Sequence, residues 1–233
     1  MVRSLLLLAA VASQPLAAAD SATMSAPCFR EPPIRQSDYP LSSLVNGRSV
    51  AALVDVATDP EGRVIDCSVI ALQGDESTAR SLCRPMKRSR LTPAYDEAGQ
   101  PAYGVTRQFV IMAQPDTEQG MAAGDMVVAP DYELTVNTLP EAAGASLDVA
   151  LVAAVDASGR VSSCGLRDGQ ATGLRGAAYV KVACDQVSGA YTKTMLDKSS
   201  VPVAYVRNFD VRFSTGALVE AKHFDPLQLA ALQ

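Results

Sequence analysis

The chain has 233 residues, 48% of them hydrophobic, and a formal net charge of −5. That apolar content is ample for one or two folded cores and excludes a disordered chain. The acidic balance offers neither the basic patch that nucleic-acid binding requires nor a polybasic handle for an anionic membrane.

The first residues read as a targeting segment. Arg3 supplies a positive start, Leu5 to Ala12 an apolar run, and Ala17-Ala18-Ala19 a small-residue cleavage site. The expectation is a cleaved Sec-type signal peptide over residues 1–19. The apolar run is shorter than the ~20 residues that span a bilayer, and no later stretch is long and apolar enough to do so. The mature protein is therefore expected in the periplasm, with no stable membrane insertion after cleavage. The alternative keeps residues 1–19 as an anchor. Residues 20–37, with Pro27, Pro32 and Pro33, read as an extended arm. Cys28 follows Ser25-Ala26-Pro27, which is a poor lipidation signal.

Ser49 to Ala57 reads as a buried strand, Pro60-Glu61-Gly62 as a turn, and Val64 to Leu72 as a second strand. Period-two alternation puts Ile65, Cys67, Val69 and Ala71 on one face. Asp75 is a plausible helix N-cap. From Glu76, the apolar stripe Ala79, Leu82, Cys83, Met86 predicts a helix that Pro85 kinks or ends. Lys87, Arg88 and Arg90 sit where a helix C-terminus favours positive charge, and this outweighs a phosphate-binding reading. Asp96 to Gly99 is a turn, and Gln100 to Met112 a long last strand. Residues 114–130 read as a linker.

The pattern then recurs. Asp59-Pro60-Glu61-Gly62-Arg63-Val64 and Cys67 are echoed by Asp156-Ala157-Ser158-Gly159-Arg160-Val161 and Cys164. Leu147 to Val155 matches the first strand, Val161 to Leu166 the second, Gly173 to about Ala190 the helix, and Val201 to Ser214 the last strand. Arg107-Gln108-Phe109 is echoed by Arg207-Asn208-Phe209, and Asp38-Tyr39 by Asp131-Tyr132. Two tandem ββαβ units follow, at 38–113 and 131–215. Each is a small antiparallel sheet with one packed helix, an α+β architecture. Residues 216–233 form a tail.

Five cysteines in an exported chain imply two bridges and one thiol left over. The repeat selects Cys67 with Cys83 and Cys164 with Cys184, each pair joining a second strand to its helix. Cys28 remains. The absence of Cys-x-x-Cys argues against a redox site. A single histidine, His223, argues against zinc and against acid–base catalysis. No cofactor, metal site or catalytic group is implied, and the chain is not read as an enzyme.

Tyr39-Pro40, the Asp59 to Val64 hairpin, the helix, Arg90-Leu91-Thr92-Pro93-Ala94 and Gly99-Gln100-Pro101 occur in the order found in one known family. Over residues 38–113 the chain resembles the C-terminal domain of TonB and its relatives. The second unit keeps the hairpin and last strand but lacks the Pro-Ala passage. The resemblance implies a module that binds envelope proteins or peptides, an outer-membrane receptor being suspected, by adding a strand to its sheet edge. It points to the last strands: Tyr103, Val105, Arg107, Phe109 and Ile111, and by repeat Tyr205, Arg207, Phe209 and Val211. The arginines have a simpler reading, in which their stems cover the sheet's rim. The chain departs from an energy transducer in having no retained membrane helix, no long Pro-rich linker, and two units. An anchored transducer, an enzyme and a small-molecule binder between the units are the alternatives. Strand addition needs those last strands at open edges, and pairing them with one another would remove the site.

Overall fold

The computed structural model describes residues 24–114, 116–140, 144–167 and 174–215. The expected signal peptide and tail lie outside the described residues. In chain order a 3-10 turn at Gln36–Asp38 and α1 (Leu41–Val45) lead into β1 (Val50–Thr58) and β2 (Val64–Gly74). Then come α2 (Glu76–Ser81), α3 (Cys83–Arg88), β3 (Ala94–Tyr95) and β4 (Pro101–Met112). After α4 (Glu118–Gly124) and β5 (Tyr132–Thr135) follow β6 (Ser146–Val155), β7 (Val161–Leu166), α5 (Leu174–Val187), β8 (Met195–Leu196), β9 (Pro202–Val203) and β10 (Tyr205–Ser214).

These elements make a mixed α+β fold on one large, mostly antiparallel sheet of eight strands. The main path runs β2-β1-β4-β10-β6-β7, with β3 beside β4 and β5 beside β10. β8 and β9 form a separate small hairpin. The sheet crosses the expected boundary between the two units without a break.

Both hairpin turns are set by the same chemistry. The Asp59 carboxylate accepts from the backbone N–H groups of Glu61 and Arg63, and the Asp156 carboxylate from those of Ser158 and Arg160. Gly62 and Gly159 take positive φ, 73° and 86°. Each also lies under a later strand of chain. A Cβ on Gly62 would sit 2.3 Å from the Leu91 carbonyl oxygen, and one on Gly159 2.5 Å from that of Thr192. Glycine is required there twice, for conformation and for space.

Laterally paired residues of a sheet project from the same side, so register fixes the faces. Val50, Ala52, Val54 and Val56 of β1 pack with Leu82 and Met86 of the α2–α3 segment. Leu82 and Met86 are fully buried, and each such side chain stabilises by about 1.5–3 kcal/mol. Leu151, Phe209 and Phe213 pack with Ala183 and Val187 of α5 on the opposite face, the one that carries Tyr103 and Val105. β4 and β10 run parallel. Parallel central strands with helices on opposite faces are what a half-turn about an axis along the strands produces.

Two local expectations differ from the structure, and the interruption expected from Pro85 is placed. β2 does not present Ile65, Cys67, Val69 and Ala71 together. Register shifts at Leu53/Val54, mid-ladder, and at Ala57/Thr58 rotate the strand, so Cys67 and Val69 join the α2–α3 core while Ile65 packs into the α5-side core and Ala71 pairs with Leu53. The first helix is two helices, broken at Leu82. Pro85 has no N–H to donate to the Ser81 carbonyl, and the Ser81 hydroxyl turns back to Thr78 O, 2.7 Å away. The expected linker contains α4, capped by the Thr117 hydroxyl, which accepts from Gly120 N–H at 3.0 Å. Gly120 and Gly124 hide it from a propensity reading.

Disulfides join Cys67 to Cys83 and Cys164 to Cys184, with Cα–Cα distances of 5.6 and 5.5 Å. Cys28 is free and exposed. Closing loops of this size stabilises by ~3 kcal/mol each in the chain-entropy account. Two such bridges are consistent with an exported protein. Among the described residues no helix is long and apolar enough to cross a membrane.

The N-terminal arm straps the seam on the face opposite α5. Met24 and Ala26 pack on Ala94, Val152 and Val206. Ser25 bridges to Tyr95 and Phe29 to Leu91. Pro27 lies so close to Gly104 that a Cβ there would be 2.6 Å from the proline Cδ.

Candidate functional site

The last strands of the two halves meet at the centre of the sheet. β10 pairs with β4 only over Tyr205 to Arg207, against Tyr103 to Val105. Beyond that the strands part. β10 takes β5 as its neighbour instead, Val211 to Ser214 against Tyr132 to Thr135, while β6 ladders its other side throughout. The expectation that both last strands are free edges is therefore corrected. Tyr205, Arg207 and Val211 lie where β10 has a partner on each side, and Phe209 is closed in by Asp131, whose backbone N–H donates to Asp210 O at 2.8 Å. Tyr103 and Val105 are likewise used. The physical reason is that two adjacent open edges in one chain satisfy each other's backbone groups.

Arg107, Phe109 and Ile111 fare differently. From Thr106 to Met112, β4 has a ladder partner on one side only among the described strands, namely β1. Ile111 is 46% exposed and Phe109 half-buried. A slot of about 410 Å³ lies beside this stretch, lined by Thr106, Gln108 and the arm from Cys28 to Pro33.

At the point where the strands part, the structure gathers charges that the sequence places far apart. Arg107 Nε donates to Asp55 Oδ1 at 2.9 Å, and its Nη1 to Asp131 Oδ1 at 2.6 Å. Arg207 Nη2 reaches the same Asp131 oxygen at 3.5 Å, and its Nη1 donates to the Thr192 hydroxyl at 2.9 Å. Asp131 Oδ2 accepts from the Asp210 N–H at 2.9 Å. The Arg207 guanidinium also lies 4.5 Å over the Phe209 ring. Burial works against the charge on Arg107, but the hydrogen bonds and fields of Asp55 and Asp131 outweigh it and raise its pKa above the ordinary arginine value. Both arginines are thus committed to an ion-pair lock rather than laid along the rim.

Asp131 and Asp55 are the site residues that sequence reasoning missed. The signal was present in the Asp-Tyr echo, Asp38-Tyr39 and Asp131-Tyr132. The first aspartate pairs with exposed Arg88 at 3.0 Å; the second sits at the fork.

The lock is two guanidinia balanced by two carboxylates, with no nucleophile beside a base. Among the described residues no three His, Cys, Asp or Glu side chains converge to hold a metal ion. What the region offers chemically is backbone: one strand edge without a ladder, an exposed isoleucine, and a slot alongside. Comparison of the chain with protein-family models, with curated proteins and with solved structures finds no match in any of the three.

Proposed function

We propose that this chain is an exported, periplasmic binding module built from two TonB-C-like ββαβ units, and that it captures an extended peptide of an envelope protein by strand addition. An outer-membrane receptor segment is the partner class this reading favours. The observation that carries it is the partial pairing of β4. β10 takes only Tyr103 to Val105, which leaves Thr106 to Met112 as a seven-residue edge with a slot beside it.

Added strands bind through main-chain hydrogen bonds and select through alternate side chains. Phe109 and Ile111 supply the apolar alternates on one face; Thr106 and Gln108 line the slot on the other. The outer strands β2 and β7 compete less well as docking edges. Register shifts interrupt both pairings, and bulges are a common device for protecting edges. The ion-pair lock sets where the added strand must stop.

A photo-crosslinker at Ile111 tests this in the intact envelope. The expected result is a covalent adduct with an envelope protein, competed by a synthetic peptide of the captured segment. A crosslinker at Ile70 on β2 serves as the comparison. Equal adducts from both positions, or none from Ile111, would sink the assignment of the edge.

A further inference from the structure

A second site lies away from the sheet edge, where the N-terminal arm meets the end of α3. A cavity of about 460 Å³ is lined there by Pro32, Pro33 and Pro85 and by Arg30, Arg35, Arg88 and Arg90. We propose that this cavity binds a phosphate group carried on a larger anionic ligand.

Four arginines and two carboxylates, Glu31 and Asp38, line it, in a chain whose net charge is −5. The two carboxylates are already engaged. Glu31 Oε2 lies 3.3 Å from Arg35 Nη2. Asp38 Oδ1 accepts from Arg88 Nη2 at 3.0 Å while its Oδ2 accepts from the Arg35 backbone N–H at 2.9 Å. Asp38 thus ties the arm to α3 and fixes Arg88 at the cavity wall. Arg30 and Arg90 have no carboxylate partner among the described residues. Exposed Arg84 and Lys87 extend the same sign of charge along α3.

Arginines brought to one cavity from separate elements, the arm and the end of α3, suit a tetrahedral oxyanion, because each planar fork can take two oxygens from its own direction. A single point charge would need no such spread. The helix C-terminus accounts for Lys87 and Arg88, but not for Arg30, which comes from the arm. The cavity is larger than one phosphate and leaves room for the body that bears it. Either a soluble phosphate ester or a phospholipid headgroup supplies the same chemistry.

Titration calorimetry of the mature chain with inorganic pyrophosphate, alongside co-sedimentation with phosphatidic acid vesicles and with phosphatidylcholine vesicles, separates these sources. The expected result is saturable binding of pyrophosphate, weakened tenfold or more in the double variant R30Q/R90Q and unchanged in R160Q. Selective sedimentation with phosphatidic acid, lost in R30Q/R90Q, would assign the lipid source. Unchanged thermal unfolding of R30Q/R90Q shows that the variant is folded. Failure to bind either anionic probe, or equal binding by wild type and R30Q/R90Q, would overturn the proposal.

Discussion

β4 and β10 carry the same motif, Arg-x-Phe, at corresponding places, and the structure gives the two copies different surroundings. Phe209 is almost fully buried, against α5 and near Tyr132, whose ring centroid lies 6.0 Å away. Phe109 is half-buried and sits on the stretch of β4 that has a ladder on one side only. Arg207 is buried over the Phe209 ring, while Arg107 spans two carboxylates. The difference comes from β5. It enters beside β10 and displaces β4, completing one strand and leaving the other open. A repeated sequence thus specifies a repeated strand, but the neighbour of that strand is decided by what lies between the repeats.

The sharpest break in this symmetry is at the phenylalanines. Phe209→Ala is expected to cost about 3–5 kcal/mol, the range for a fully enclosed aromatic, and Phe109→Ala about 1–2 kcal/mol. Urea unfolding of the two variants checks this, and equal losses would contradict the asymmetry.

The two Asp-Tyr copies give the next contrast. Asp131→Ala leaves buried Arg207 and half-buried Arg107 short of an acceptor and is expected to cost about 3 kcal/mol. Asp38→Ala removes an ion pair with a largely exposed arginine and one hydrogen bond from the Arg35 backbone N–H, together worth about 1–2 kcal/mol. Chemical denaturation at neutral pH reads both.

The hairpins differ as well, through the Asp59 carboxylate. Burial alone would raise its pKa, but hydrogen bonds from Arg63 and from Lys198, 3.0 Å away, outweigh it and hold it at about 2. The folded pKa lies below the unfolded one, so the stabilisation is complete above about pH 4 and is lost as pH falls from 4 towards 2. It amounts to about 2 kcal/mol at most. Asp59→Asn is expected to flatten stability against pH in that window, measured by thermal unfolding across a pH series. Asp156→Asn, in the exposed second hairpin, is expected to change it less.

Much of the fold was legible in the chain. The Gly-to-Cys spacing marks both hairpins and selects both disulfides. Continuous apolar runs mark β1 and β6, and the Arg-x-Phe echo marks β10 from β4. Less was legible at the site. Edge availability is a tertiary property: nothing in Tyr103 to Val105 or Tyr205 to Arg207 says that they face each other. The bulges of β2 are equally silent, since an alternating run looks the same with an extra residue in its pairing. α4 was hidden by Gly120, whose absent Cβ lets the helix start against the Gln114 carbonyl.

The smallest expected effect concerns the second pair of turns. Gly99 takes φ 70° in one, and Ser200 takes φ 61° in the other, the sole non-glycine at positive φ among the described residues. Asp96 and Asp197 cap these turns in the same way. Ser200→Gly is expected to stabilise by about 0.5 kcal/mol, the left-handed strain relieved less the added entropy of the unfolded chain. A rise in Tm measured by calorimetry checks it.

The central claim is that β10 is closed and that β4 beyond Val105 is an open strand edge. Amide exchange followed residue by residue by NMR tests it directly. The account predicts slow exchange along β10, whichever side an amide faces. In β4 it predicts alternating fast and slow amides from Thr106 to Met112, the fast set becoming slow when a peptide of the proposed partner class is added as a strand. Uniformly slow exchange through Thr106 to Met112 in the free protein, or fast exchange at alternate positions of β10, would contradict it.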